Sequence, residues 1–192
     1  MRVDASCSES LVSDQQFSYV GRGVILRPIT FDDTAMIVRW RNEDAVKENL
    51  FTRDDVTSES HRLWLLNNVS IRKCDQFIVQ LQGTGQPVGS AFLKDISLDR
   101  ADGEFGIFLG KDGRGRGLAK EVTALLLEHA FETLGLQRVH LAVYSDNVAG
   151  IKAYKNVGFV EKPELGAEGA DGRSITFMEI KRAQWDLQCS EK

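Results

Sequence analysis

Apolar and polar residues follow one another along the chain in patterns that predict both helices and strands. The clearest helical spacing lies between residues 118 and 134, where it predicts an amphipathic helix that covers a sheet. Its apolar positions are Leu118, Val122, Leu125, Leu126 and Leu134. Short apolar runs bounded by turn residues predict strands. These runs are residues 23–29, 76–81, 88–96, 103–109, 138–144, 158–161 and 174–181.

Helical patterns also occupy the N-terminal half. Asp32 and Asp33 are candidate caps for the first helix. In a later helix, Leu63, Leu66 and Trp64 are expected to face inward. The mixture of elements predicts an α/β (α+β) domain with a mostly antiparallel central sheet flanked by helices. Helices are predicted through Trp40 and over residues 45–50, 58–68 and 147–157.

Composition and charge narrow the possible functions. A chain of 192 residues favours one domain, which we expect at residues 21–183, with tails at 1–20 and 184–192. The net charge of −4 provides no basic footprint for nucleic acid. No apolar run reaches the ~18 residues of a membrane helix, and no signal peptide is recognisable. The three cysteines form no C-x-x-C pair, so neither a metal site nor a disulfide framework is expected in what we predict is a cytoplasmic protein.

A glycine-rich loop at residues 110–119 joins a predicted strand to the amphipathic helix. It contains four glycines and three basic residues. Glycines leave backbone N–H groups accessible, a helix N-terminus adds unpaired donors, and arginine suits phosphate, so the loop predicts a phosphate or pyrophosphate site. The dinucleotide fingerprint fails because Leu118 or Lys120 would replace its third glycine. The nucleotide-triphosphatase loop fails because Phe105 replaces its first glycine.

Two segments resemble one known family. Arg114, Gly117 and Ala119 fit R-x-x-G-x-A, which resembles the pyrophosphate loop of the GNAT superfamily of acetyl-CoA-dependent N-acetyltransferases. Residues 145–159 resemble a later motif of that superfamily, in which Asn147 opens a helix that carries a tyrosine before a Gly-Phe pair. The resemblance covers about residues 24–181. It implies a GNAT-like fold whose central sheet splays open between strands 104–110 and 138–144.

The same resemblance implies a site for acetyl-CoA as cosubstrate, with no metal. Backbone groups of the strand before the loop would pair with the pantetheine arm, and the loop itself would hold the pyrophosphate. The implied cofactor-binding residues are Ile107, Phe108, Leu109, Arg114, Gly115, Arg116, Gly117, Leu118, Ala119 and Asn147.

Two residues are candidates for the chemical step. Tyr154 is the candidate general acid, because a phenol with a pKa near ~10 can protonate a thiolate. Glu104 is the candidate general base, since it lies on the strand just before the loop. His61 is a rival base. His129 and His140 are expected to be structural or exposed.

The N-terminal half suggests an acceptor. Trp40-Arg41-Asn42, His61 ahead of Trp64-Leu65, and Glu104-Phe105-Gly106 resemble nucleotide-amino-sugar N-acetyltransferases of the pseudaminic-acid type. The resemblance implies a nucleotide-linked amino sugar as substrate. In that case Arg41 or Arg39 would pair with its phosphates, Trp40 would pack on a ring, and Asn42 and His61 would complete the site.

Other functions stay open. Leu26-Arg27-Pro28 also occurs in ribosomal-protein N-terminal acetyltransferases, and polyamine or aminoglycoside acetyltransferases are further alternatives. An acetyl-CoA-binding sensor without catalysis is the alternative outside the enzymes. A serine hydrolase is disfavoured because Ser145 lacks the glycines of a nucleophile elbow. The expected partner is a small-molecule amine, with neither nucleic acid nor membrane, and the expected assembly is a monomer or homodimer.

Overall fold

A computed structural model describes residues 18–190, in which nine strands form one sheet. The sheet order is β1-β2-β3-β4-β5-β6-β9-β7, and β8 pairs with β9. Every pair is antiparallel except β5 with β6. The strands are β1 Tyr19–Val20, β2 Val24–Pro28, β3 Cys74–Leu81, β4 Pro87–Ser97, β5 Asp102–Leu109, β6 Arg138–Tyr144, β7 Val160–Glu161, β8 Ala167–Glu168 and β9 Ser174–Lys181.

Helices cover both faces of this sheet, as the sequence pattern predicts. Two of them continue into a π-helical turn, at Leu65–Val69 and at His129–Thr133. Short 3-10 turns lie at Phe31–Asp33 and Pro163–Leu165. The α-helices are α1 Thr34–Arg41, α2 Asp44–Lys47, α3 Ser58–Trp64, α4 Leu118–Glu128, α5 Val148–Lys155 and α6 Arg182–Ser190.

The two faces of the sheet have separate hydrophobic cores. On the face we call the α4 face, Val122, Leu125 and Leu126 of α4 pack on the strands together with side chains of α5 and α6. On the opposite face, the α1 face, α1 and α3 pack on Ile78 and Phe108. Because side chains alternate along a strand, β5 contributes to both cores.

The sheet separates between β5 and β6, which confirms the expected splay. The two strands pair only over Asp102–Glu104 and Arg138–His140. Beyond Glu104, β5 continues along β4 and β6 continues along β9. The β6-facing edge of β5 therefore has no strand partner from Phe105 to Leu109.

The helix α3 faces inward through other residues than the pattern predicts. Leu63 and Leu66 are 52% and 48% exposed, so their predicted inward orientation is wrong. The buried residues are His61, Leu65 and Val69, spaced by four, because this stripe faces the α1 core. The first residue of this stripe, His61, is polar, so the pattern of apolar residues did not reveal the stripe.

The ends of the domain differ from expectation. Tyr19–Val20 pair with β2, and α6 buries Trp185 against Phe131, so both expected tail boundaries are corrected. Residues 1–17 lie outside the described part. Of the two predicted caps of α1, Asp33 is the N-cap, although its side chain bonds to Thr30, the cap of the preceding 3-10 turn, and accepts the Thr30 backbone N–H at 2.8 Å. None of the helices within residues 18–190 has the length and apolar character needed to cross a membrane.

Candidate active site

A cavity of about 1110 Å³ opens where β5 leaves β6. The glycine loop and α5 form one end, and α1 and α3 form the other. Residues of β5 from Glu104 to Leu109 line the middle. The cavity thus joins the predicted phosphate site to the predicted acceptor residues, which lie far apart in the sequence.

Backbone geometry makes the glycine loop an anion site. Gly115 and Gly117 have φ values of +74° and +73°, which favour glycine, and a Cβ at either would meet no atom within 4 Å. Gly117 is the N-cap of α4, so the first N–H groups of that helix point at the loop. In the described part of the chain, no hydrogen bond uses the N–H groups of Gly115, Arg116 or Gly117. This open set of donors fits a pyrophosphate group.

The side chain of Arg114 lines the cavity but is already bonded within the chain. Its Nη1 donates to Glu43 Oε2 at 2.8 Å and to Leu109 O at 3.2 Å. It therefore ties the loop to the turn between α1 and α2. Lys120 and Lys152 line the cavity at this end and supply positive charge that the motif did not identify. Lys120 directly follows Ala119, the last residue of the motif, and this position in the sequence could have identified it as part of the phosphate site.

Helix α5 carries the candidate acid into the middle of the cavity. Asn147 caps the helix by accepting the Gly150 N–H at 2.9 Å, so this side-chain oxygen is engaged within the chain. Tyr154 is 9% exposed, lines the cavity and packs edge-on against Phe105 at 5.5 Å between ring centroids. Burial raises the pKa of Tyr154 to about 12. The phenol is therefore protonated at neutral pH.

The candidate base is an ion-paired carboxylate on β5. Glu104 lies opposite Lys94 in the β4–β5 register, and Lys94 Nζ is 2.9 Å from Glu104 Oε1. Both residues line the cavity, and the Glu104 side chain is 26% exposed. A carboxylate that is paired with a lysine and reached from the cavity is placed to accept a proton. Sequence reasoning missed Lys94, which only the strand register places beside Glu104.

Of the Trp40-Arg41-Asn42 segment, only Arg41 lines the cavity. Trp40 is 4% exposed in the α1 core, with its indole against Gly110, where a Cβ would collide with it. Asn42 is held by the backbone of Val56, donating to its O at 2.8 Å and accepting from its N–H at 2.9 Å. The expected substrate-binding roles of Trp40 and Asn42 are thus replaced by structural ones, because packing and backbone pairing occupy both side chains.

Arg41 and His61 lie together at the α1 end. The Arg41 guanidinium lies 5.9 Å from the centroid of Phe108, and burial lowers the pKa of Arg41. His61 is 5% exposed, with Nδ1 3.3 Å from Thr34 Oγ1 and its ring stacked on Trp64. Burial and the charge of Arg41 lower the pKa of His61 to about 4. His61 is therefore neutral at neutral pH and has lost the basicity that would favour it over Glu104.

Gln76 completes this end of the cavity and was missed by sequence reasoning. It is 3% exposed on β3, and its Nε2 donates to Ser90 Oγ at 2.9 Å. Its Oε1 is buried without a partner among the described residues. No signal in the sequence singles it out, because β3 carries two other polar residues, Asp75 and Gln80. Within residues 18–190, no group of three or more His, Cys, Asp or Glu side chains is arranged to hold a metal ion.

Known proteins match both the sequence and the fold. The family described as "Acetyltransferase (GNAT) domain" matches residues 24–160. The uncharacterized N-acetyltransferase p20 of Bacillus licheniformis is 25% identical over 154 residues, covering 78% of this chain and 86% of that protein. The spermidine N(1)-acetyltransferase of Escherichia coli (strain K12) is 29% identical over 90 residues, covering 47% of each chain.

A solved structure shows the likeness of fold. The spermidine N-acetyltransferase from Vibrio cholerae, in complex with CoA and spermine, superposes with a TM-score of 0.79 at 20% identity. The match covers 84% of this chain and 97% of that one. The overall fold is thus shared with a protein of very different sequence.

Proposed function

The chain belongs to the acetyltransferase (GNAT) family and is an acetyl-CoA-dependent N-acetyltransferase, and from this premise we propose that it acetylates the amine of a small molecule bound at the α1 end of the cavity. One observation carries the proposal. A single cavity connects the glycine loop to Arg41, His61 and Gln76, and Tyr154 and Glu104 line it as well. An acyl donor and an amine can therefore meet inside one cavity.

The cosubstrate site uses backbone groups. The unpaired N–H groups of the loop and the N-terminus of α4 bind the pyrophosphate, with Lys120 and Lys152 adding charge. The unpartnered edge of β5 at Ile107 to Leu109 pairs with the pantetheine arm as another strand would. When bound there, acetyl-CoA supplies the acetyl group as a thioester.

Two side chains move the protons of the transfer. Glu104 accepts the proton that the amine releases as the new C–N bond forms, directly or through water. Tyr154 donates its proton to the sulfur as the C–S bond breaks. Its pKa of about 12 exceeds that of a thiol near ~8.5, so donation is favoured only once negative charge develops on sulfur within the same apolar surroundings. The net reaction passes one proton from amine to sulfur.

The site residues and the names of several relatives support a small amine, rather than a nucleotide-linked amino sugar, as the acceptor. Two of the residues that suggested nucleotide recognition, Trp40 and Asn42, have structural roles, and Arg39 does not line the cavity. Several relatives are named spermidine or spermine acetyltransferases, which supports the small-amine class. A polyamine is therefore the second candidate acceptor, and only the names of these relatives support it.

A substrate panel tests the proposal. Purified protein and acetyl-CoA are incubated with spermidine, amino sugars, a nucleotide-linked amino sugar, amino acids and a peptide with a free N-terminus, and products are identified by mass spectrometry. We expect acetylation of at least one free small amine. Acetylation of the peptide alone, or binding of acetyl-CoA without transfer to any amine, contradicts the proposal.

The same assay identifies the base. For the best acceptor, Glu104→Gln is expected to remove the acidic limb of the pH dependence of kcat/KM, because that limb reports the protonation of an essential base. Glu161→Gln is the matched control, since Glu161 is likewise paired with a lysine, Lys155, and does not line the cavity. An acidic limb that persists in Glu104→Gln contradicts the role of Glu104.

A further inference from the structure

Unpaired polar atoms are concentrated at the α1 end of the cavity. Within the described residues, four buried side-chain atoms have no hydrogen-bond partner. Three of them, Arg41 Nε, His61 Nε2 and Gln76 Oε1, belong to residues that line the cavity. A folded protein leaves few such atoms unsatisfied, because burying a polar group without a partner is unfavourable. Because the three residues border one cavity, a ligand bound at this end is the candidate partner for them.

The charge of Arg41 specifies part of that ligand. No salt bridge to Arg41 forms within residues 18–190. The carboxylates of the neighbouring elements are already engaged: Asp33 by Arg27, Glu43 by Arg114 and Glu104 by Lys94. A partly buried guanidinium prefers a planar or tetrahedral oxyanion, which accepts two of its N–H groups.

Gln76 specifies the complementary part. Its Nε2 is used by Ser90, so the amide presents only its acceptor oxygen. An oxygen acceptor needs an N–H or O–H donor on the ligand. Together, Arg41 and Gln76 fit a molecule that carries both an oxyanion and a donor.

We propose that Arg41, with Gln76 and His61, selects acceptor amines that carry an anionic oxygen group, either carboxylate or phosphate. This inference rests on the proposed function, because it concerns the acceptor of the same reaction. It separates this chain from its polyamine-acetylating relatives. At this end of the cavity Arg41 and Lys94 face a single carboxylate, Glu104, so a polycation is repelled.

Matched pairs of amines test the selection. The pairs are glucosamine 6-phosphate with glucosamine, and 4-aminobutanoate with 1-aminobutane, with spermidine as the polycation. The wild-type protein is expected to prefer the anionic member of at least one pair by about 10- to 100-fold in kcat/KM, the range expected for one charge-assisted contact. The pair that discriminates identifies phosphate or carboxylate as the recognised group.

Variants assign the preference to Arg41. Arg41→Gln is expected to reduce the preference to near unity, while Arg62→Gln keeps it. Arg62 is a matched control because it lies on α3 over the Phe31 ring and does not line the cavity. A wild-type protein that acetylates spermidine or the neutral amines equally well overturns the inference. A preference that survives Arg41→Gln overturns it as well.

Thermal unfolding provides a readout that does not depend on turnover. Every amine of both pairs is tested, whether or not it is acetylated, and the anionic member of at least one pair is expected to raise the Tm of the wild-type protein but not of Arg41→Gln. Without ligand, Arg41→Gln is expected to have an equal or higher Tm, because it removes an unpaired, partly buried charge. A lower Tm assigns Arg41 a structural role and overturns the inference. If no amine is acetylated, the proposed function fails, and these Tm shifts still decide the role of Arg41.

Discussion

The α4 and α1 faces of the sheet treat buried polar groups in opposite ways. On the α4 face, His129 bridges Tyr19 Oη and Asp75 Oδ2, both at 2.7 Å, so both ring nitrogens are paired and the network is structural. On the α1 face, His61 Nε2 and Arg41 Nε have no hydrogen-bond partner among residues 18–190. A satisfied network stabilises a core, whereas an unsatisfied one beside a cavity is available to a ligand.

The two ends of the cavity also differ in the groups that recognise ligands. At the glycine loop the donors are backbone N–H groups set by two glycines with positive φ. At the α1 end the recognising groups are side chains of three elements that are distant in sequence. Backbone recognition depends on local sequence and recurs as a motif, whereas side-chain recognition depends on how helices dock onto a sheet.

The largest effect on activity is expected for Tyr154, which lies between the two ends of the cavity. Tyr154→Phe removes the proton donor but keeps the ring that packs on Phe105, so kcat should fall about 100-fold or more. Affinity for acetyl-CoA, measured by calorimetry, should not change. Tyr144→Phe is the control, because Tyr144 is buried on β6 outside this cavity. An unchanged kcat in Tyr154→Phe would mean that the residue only packs.

The second effect concerns stability and tests the lowered pKa of His61, which is buried on the α1 face. With its pKa lowered to about 4 by burial and by Arg41, His61 is neutral in the folded protein where the unfolded chain is protonated. The unfolded state then binds the extra proton, so the free energy of unfolding falls between about pH 6.5 and pH 4, by about 3 kcal/mol. Urea unfolding at several pH values measures this loss. The loss should be smaller in His61→Gln, and an equal loss in both proteins contradicts the assignment.

The third effect tests backbone recognition at the glycine loop. Gly117→Asp places negative charge beside the proposed pyrophosphate site, so acetyl-CoA affinity should fall about 100-fold, or ~2.7 kcal/mol. Gly117→Asn is the matched control, because asparagine has nearly the same shape and tolerates a positive φ. Calorimetry should find much weaker binding for the aspartate variant than for the asparagine variant. Equal affinities would show that the pyrophosphate does not bind there.

The sequence alone determined much of the α4 face and of the glycine loop. The spacing of Val122, Leu125 and Leu126 predicted their burial, and the resemblance predicted the splay beside β5. Gly115 and Gly117 adopt the backbone that their residue type favours, so the loop was identified from ten residues. These features are local, because helical spacing and turn geometry depend on neighbouring residues.

The arrangement of the α1 face and the pairing of its charged groups depend on contacts between distant segments. Trp40 lies in the core, Leu63 and Leu66 are exposed, and Arg114 donates to Glu43. Gln76 lines the cavity because the sheet places β3 next to α1 and α3. Which polar groups meet partners depends on how distant segments dock, and no local pattern encodes that docking. Arginine as a residue type favours oxyanions, and the fold leaves Arg41 without a carboxylate partner among residues 18–190.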